Sequence, residues 1–288
     1  MISDETRELG QFIPLHYHFN MLSDQVRMEG FRAAINNTVK PGATVLELGG
    51  GTGVLSFFAA QNARKVFCVE LNLDLVEESR RLLRMNGCED RVEVIHADAF
   101  EYVPPEPVDV VICEMLHVGL LREKQLAVID AFKSRYQLCF ENAMPVFIPV
   151  ATIQAVQPVQ HDFLYEGYYA PLLLFQYPHG AHQRTTVLGD PVIYHQVIYE
   201  EPFGLSCRWE GVLPITVEGS LNALRIITKN ILAMTPETQS AIAWDNQFLI
   251  LPLESEIQVR PGQKMTVSLD YTGGASLSTL RPFVAGPT

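Results

Sequence analysis

Val45-Leu46-Glu47-Leu48-Gly49-Gly50-Gly51-Thr52-Gly53 is a short apolar strand running straight into a glycine loop, with a helical stretch, Leu55 to Gln61, behind it. Glycines at 49, 51 and 53 can take positive φ and let the backbone come close to a ligand, while the following helix offers unpaired N–H groups. A dinucleotide-binding turn spaces its glycines GxGxxG, the third one permitting the helix to pack under a pyrophosphate. Val54 stands at that third position here. The spacing is GxGxG instead, so a pyrophosphate cradle is not indicated.

Outward from the loop, strand-like and helix-period runs alternate. Upstream, Leu22, Val26, Phe31, Ala34 and Ile35 form an apolar stripe at roughly helical spacing, and Pro41-Gly42 punctuates before the strand Thr44 to Leu48. Downstream come a strand (Lys65 to Glu70), a helix (Asp74 to Met85), two strands (Val92 to His96 and Val108 to Cys113) and a helix bearing Leu126, Ile129, Ala131 and Phe132. Such alternation predicts βαβ units, hence an α/β doubly wound, Rossmann-like sheet with helices on both faces. After about Asn142 the texture changes to short runs rich in Val, Ile, Thr, Tyr and Phe, broken by prolines from Pro145 to Pro261. A smaller β-barrel-like or sandwich domain is expected there. The expected division is 1–40 for N-terminal helices, 41–145 for the Rossmann-like unit and 146–288 for the β unit.

The chain has 288 residues, 48% hydrophobic and 19% charged, with mean hydropathy +0.10, which excludes disorder and coiled coil as descriptions of the whole. It carries 21 Lys+Arg against 33 Asp+Glu, a formal charge of −12. That balance argues against nucleic acid as a partner and for a cationic ligand. The five cysteines, Cys68, Cys88, Cys113, Cys139 and Cys207, include no CxxC pair, as expected in a reducing cytoplasm. The opening MISDETRELGQF has no apolar core of a signal peptide, and no apolar run approaches the ~20 residues of a membrane helix. His16 and His18 lack accompanying ligands at metal-binding spacing, so no metal is expected.

The GxGxG loop resembles the cofactor loop of class I S-adenosylmethionine-dependent methyltransferases, which also carry an acidic residue toward the strand end, here Glu47. The resemblance implies a carboxylate for the ribose hydroxyls at the end of the next strand and a polar residue near the adenine after the one following. Glu70, 17 residues past Gly53, and Asp98, in Val94-Ile95-His96-Ala97-Asp98, hold those places. Gly49, Gly51, Gly53, Glu47, Glu70 and Asp98 are therefore the expected S-adenosylmethionine contacts.

Two flanking motifs narrow the resemblance. His18-Phe19-Asn20-Met21-Leu22-Ser23-Asp24-Gln25-Val26-Arg27 is similar to the N-terminal helix signature of protein arginine methyltransferases. It implies a helix that closes over the cofactor, with Arg27 on the methionine carboxylate, Met21 near the sulfonium and His18 in the lid. The planar guanidinium fork suits a carboxylate better than an ammonium does. Glu114-Met115-Leu116-His117-Val118-Gly119-Leu120-Leu121-Arg122-Glu123 resembles the same family's double-glutamate loop, its two acids nine positions apart. A guanidinium has delocalised lone pairs and is a poor nucleophile. Two carboxylates can hold it bidentately, concentrate its charge and aim one nitrogen at a sulfonium methyl.

The departures are specific. The family's aromatic pair around the loop glycine is missing, and His117 stands in that stretch as a candidate acceptor contact. Ala243-Trp244 resembles the barrel's Thr-His-Trp loop with Ala243 replacing the His, so Asp24, its expected partner, needs another. Trp244 is a candidate wall of the acceptor pocket. The family's dimerisation arm is not located, and a homodimer is left open. The leading expectation is an S-adenosylmethionine-dependent N-methyltransferase acting on a guanidino group in a cationic protein, peptide or small molecule. An RNA or small-molecule methylase on the same scaffold and a non-catalytic S-adenosylmethionine-binding protein are the alternatives.

Overall fold

The computed structural model describes residue 13 and residues 15–141, 144–235 and 238–287. The first twelve residues, read above as lacking a leader core, and the His16 side chain lie outside the described residues. Helices α1 (Leu15–Ser23) and α2 (Gln25–Thr38) lead into β1 (Thr44–Leu48), α3 (Val54–Ala59), β2 (Lys65–Glu70), α4 (Leu73–Met85), β3 (Val92–His96), β4 (Val110–Cys113), α5 (Gln125–Cys139) and β5 (Val146–Ile148). The five strands form a parallel sheet in the order β3-β2-β1-β4-β5.

Burial matches that order. All residues of β1 and β4, and all but Lys65 of β2, are buried, as strands covered on both faces by helices must be. The helix α4 shows how locally the elements are specified. The Asn72 side chain accepts from the Asp74 N–H, Arg84 sits in the last turn, and Leu75, Val76, Ser79 and Leu83 face the sheet. The sheet runs three residues past the expected limit at 145, because Val146-Phe147-Ile148 is an apolar run that completes the edge beside β4 before Pro149. The order in which strands are added reverses between β1 and β4, which opens a crevice beyond their carboxyl ends.

The rest of the chain is antiparallel. The long strands Ala151–His161, Gly219–Thr235 and Phe248–Val259 pair side by side in a seven-stranded sheet, and Ser206–Pro214, Lys264–Thr272 and Phe283–Pro287 form a three-stranded one. The halves share their cores. Leu232, Ala233 and Trp244 of the β half pack into the α/β core, while Val118 and Leu121, from the loop after β4, are buried among Val156, Leu224 and Leu269. Burial of this kind, worth roughly 1.5–3 kcal/mol per large apolar side chain, fixes that loop on the β half. No helix among the described residues is long and apolar enough to cross a membrane.

Candidate active site

The glycine loop leaves β1 at the crevice. The N–H groups of Gly49 and Gly50 both donate to the Val69 carbonyl at 2.9 Å, and Gly53 N–H donates to the Gly50 carbonyl at 2.8 Å. Gly49, Gly51 and Gly53 have φ of 77°, 53° and 79°, conformations that a side chain rarely adopts. At Gly51 a Cβ would also lie 2.9 Å from the His18 ring. Gly50, passed over in the GxGxG spacing, is the most confined, since a Cβ there would overlap the Cys68 sulfur on β2. Nothing in the spacing signals that constraint, which comes from the neighbouring strand.

The three acids expected at the cofactor line the same cleft. Glu70 is 8% exposed and accepts from the N–H groups of Gly51 and Asn72, each at 2.8 Å. Asp98 accepts from the Phe100 N–H at 2.9 Å. Glu47 is buried and accepts from the Ser56 hydroxyl, and burial pushes its carboxyl up to about 8.

The lid helices close the crevice from the other side. His18 is buried and lines it with an unpartnered Nε2, its pKa lowered chiefly by burial and partly restored by Glu70. Met21 lines the cleft as well. Asp24, lacking the family's His, caps α2 by accepting from the Arg27 N–H at 3.0 Å. The Arg27 guanidinium is ion-paired with Glu114, and it lies 5.1 Å over the Trp244 ring. Trp244 in turn packs against Phe31 at 6.2 Å and is buried, so it stands behind Arg27 as a floor and is not part of the cleft lining. His117 likewise faces the β half. Its Nδ1 is 3.2 Å from the Val118 carbonyl, its ring meets Phe175 edge-on at 5.6 Å, and burial pushes its pKa down to about 4.

Glu114 and Glu123 are brought to one cleft with Arg27. Burial raises the Glu114 carboxyl, opposed by Arg27. Burial and then the neighbouring Glu114 push Glu123 up to about 8, against Arg27 and Arg122. The loop between them is strained: Gly119, Leu120 and Arg122 have φ of 70°, 53° and 61°. Backbone of this kind persists only where its surroundings over-determine it. Here Thr228 Oγ1 accepts from the Gly119 N–H at 2.8 Å, Asn246 Nδ2 donates to the Leu116 carbonyl at 3.1 Å, Arg122 N–H donates to the Ala275 carbonyl at 2.7 Å, and Gly274 N–H donates to the Leu120 carbonyl at 2.8 Å. These braces in the β half were not legible from motif spacing.

The donor set suits an amino acid joined to a nucleoside. It offers one guanidinium, a carboxylate placed among backbone N–H groups, an orphaned imidazole nitrogen and glycines that keep the backbone bare, between the apolar walls Val54, Leu75 and Phe100. S-adenosylmethionine has the matching parts: an α-carboxylate, a ribose diol and an adenine. No group of three or more His, Cys, Asp or Glu that could hold a metal ion occurs among the described residues.

Residues 45–135 match the family model of a methyltransferase domain. An uncharacterised protein of Methanocaldococcus jannaschii is 26% identical over 92% of this chain and 95% of its own length. The protein arginine N-methyltransferase PRMT10 of Oryza sativa subsp. japonica is 37% identical over 42% of this chain, a stretch that spans 33% of the rice protein. Among solved structures, the Trypanosoma brucei PRMT1 enzyme-prozyme heterotetrameric complex with AdoHcy superposes with a TM-score of 0.75 at 19% identity, covering 93% of this chain and 96% of the other. Residues 45–135 thus carry a methyltransferase domain, and the chain resembles class I S-adenosylmethionine-dependent methyltransferases, the protein arginine methyltransferases among them.

Proposed function

We propose that the protein methylates a guanidino nitrogen of an arginine-type acceptor in a protein, peptide or small molecule. The observation that carries this reading is the Arg27–Glu114 ion pair beside Glu123. A guanidinium of the chain's own already sits on the carboxylate that the acceptor guanidinium would use. The partial match to a rice protein arginine N-methyltransferase supports the same class of acceptor.

S-adenosylmethionine supplies an electrophilic methyl group on a sulfonium. The chain's part is to hold and to aim. Gly49, Gly51 and Gly53 leave room for close approach, with Glu47 buried beneath them, and Glu70 and Asp98 accept from the nucleoside. His18 and Met21 cover it, and Arg27 pairs with the α-carboxylate. Drawn to that carboxylate, Arg27 releases Glu114 to join Glu123 in gripping the acceptor. The two carboxylates orient one nitrogen toward the methyl carbon and take the N–H proton it gives up as the C–S bond pair leaves with the thioether. The methylated acceptor thus keeps a single positive charge, and the proton passes to solvent. Trp244 serves by supporting Arg27, and His117, neutral at physiological pH, by packing the loop against Phe175. A net charge of −12 favours cationic acceptors over RNA. The trypanosomal heterotetramer also supports assembly of this chain into an oligomer, which sedimentation would test.

The deciding experiment is incubation with methyl-labelled S-adenosylmethionine and, separately, free arginine, arginine-containing peptides and total RNA, read by mass spectrometry. Label is expected on guanidino nitrogen, and Glu114→Gln should lose it while binding S-adenosylhomocysteine within about threefold of wild type. Label on RNA alone, or a fully active Glu114→Gln, overturns the proposal.

A further inference from the structure

Gln125 is the first residue of α5 and is completely buried. Motif reading passed it over. Its side chain reaches back across the double-glutamate loop: Nε2 donates to the Cys113 carbonyl at 2.8 Å, and Oε1 accepts from the Met115 N–H at 2.9 Å. The two bonds bracket Glu114.

The pattern is that of a parallel ladder. In such a ladder a residue donates its N–H to the carbonyl before its partner and accepts at its carbonyl from the N–H after it. The Gln125 carboxamide does this to Glu114 as though it were one more residue of a neighbouring strand. The position needs filling, because β5 pairs with β4 only as far as Ile112↔Ile148. Pro149 follows, with no N–H to give, and the Val150 N–H donates to Ile231 in the antiparallel sheet instead. On the other flank β1 ends at Leu48, opposite Cys113. Glu114 thus stands one residue beyond the ladder on the β1 side and two beyond it on the β5 side. Without Gln125, the buried Cys113 carbonyl and the Met115 N–H would have no partner from either neighbouring strand, and the backbone that aims Glu114 would be free to turn.

Gln125 also lies two residues after Glu123, at the point where that segment enters α5. One side chain therefore ties the backbone of Glu114 to the helix start that carries Glu123. We propose, resting on the guanidino-acceptor reading above, that Gln125 is a positioning residue for the reaction. Its carboxamide sets where the Glu114 carboxylate stands relative to Glu123, and so the grip on the acceptor, while leaving the cofactor site alone.

The test is Gln125→Met, close in size and without either hydrogen bond. Steady-state methylation of an arginine-containing peptide would be compared with wild type and with Glu114→Gln, alongside calorimetric titration of S-adenosylhomocysteine. Peptide KM is expected to rise at least tenfold and kcat to fall, with S-adenosylhomocysteine affinity within about twofold. General loss of folded protein would lower kcat and leave KM in place, so KM is the discriminating readout. A KM within twofold of wild type, or cofactor affinity lost in the same proportion as turnover, overturns the proposal. Should Gln125→Met not fold, Gln125→Asn, which keeps the carboxamide but is one methylene too short to bracket Glu114, is judged by the same thresholds. If Glu114→Gln keeps full peptide methylation, the acceptor reading fails and Gln125 with it. If Glu114→Gln is dead and the Gln125 variant kinetically normal, the Gln125 proposal fails alone.

Discussion

Arg27 on α2 and Glu114 at the end of β4 form an ion pair in which both side chains are nearly buried, 12% and 7% exposed, over the face of Trp244. The pair joins the lid to the loop that holds Glu123. It makes one guanidinium the common partner of two carboxylates, that of Glu114 and the one expected on the cofactor. Removing Arg27 should weaken S-adenosylhomocysteine binding by about 10- to 100-fold, the range of about 1.5–3 kcal/mol for hydrogen bonds to charged groups. It should also destabilise the free protein, by about 3–5 kcal/mol where Glu114 is left ionised and unpaired. Arg27 is what lowers the Glu114 carboxyl against burial, so without it that carboxyl rises further and keeps its proton to higher pH, leaving less unpaired charge at pH 6 than at pH 8. The thermal penalty of Arg27→Ala is therefore expected to be larger at pH 8 than at pH 6. An unchanged calorimetric affinity would remove Arg27 from the cofactor site.

Gly50 carries a different kind of prediction. Alanine there would place its Cβ on the Cys68 sulfur, which is fully buried and has nowhere to go. Gly50→Ala should cost about 1–3 kcal/mol by overpacking. Adding Cys68→Ala removes the clashing atom and should recover most of the loss in melting temperature. Were the double variant no better than the single one, the strain would lie in the loop backbone and not against β2.

The parallel half of this fold is legible because each element is locally specified. Thr44 to Leu48 and Lys65 to Glu70 were marked by apolar runs bounded by turn residues, and the strands have those bounds. Glu47, Glu70, Asp98 and Glu114 were marked by their places at or just past strand ends and Glu123 by the double-glutamate resemblance, and all five line one cleft. What could not be read depends on contacts remote in sequence. The place of Trp244 beneath Arg27, the turn of His117 toward Phe175, and the bracing of the loop by Thr228, Asn246 and Gly274 all cross from one half to the other. No periodicity within a segment encodes them. Gln125 was silent for a related reason: a buried glutamine at the start of a helix looks like a capping or surface residue until the missing strand beside Glu114 is seen.

Glu47 should make the protein lose stability as pH rises. Its carboxyl is pushed up to about 8 by burial, above the ordinary 4.5 of an unfolded chain. Between those values the folded state binds the proton more tightly, so the contribution is fully present below about 4.5 and is lost as pH climbs through 8. Glu47→Gln keeps a hydrogen-bonding group that does not ionise. Melting curves from pH 5 to 9 should show the variant close to wild type at pH 6 and relatively more stable at pH 9. A variant destabilised equally at every pH would mean that the Glu47 carboxyl is ionised in the fold.

Acceptor binding should release a proton, and Glu123 is its source. Burial and the neighbouring Glu114 hold its carboxyl at about 8, so at pH 7 the empty site carries it mostly protonated. A guanidinium arriving between the two acids favours the ionised form, lowers that pKa and expels the proton. By linkage, affinity for an arginine-containing peptide should increase from pH 6 to 8 and level off above, where the proton has already left. Calorimetric titration of the S-adenosylhomocysteine-loaded protein at pH 7, in phosphate and in Tris, reads the proton count from the difference between the two heats. Glu123→Gln should bind the peptide more weakly and with a smaller difference between the two heats. Equal heats for the wild-type protein would mean that the acceptor meets a pair of carboxylates already ionised, and the grip on it would then owe nothing to proton release from Glu123.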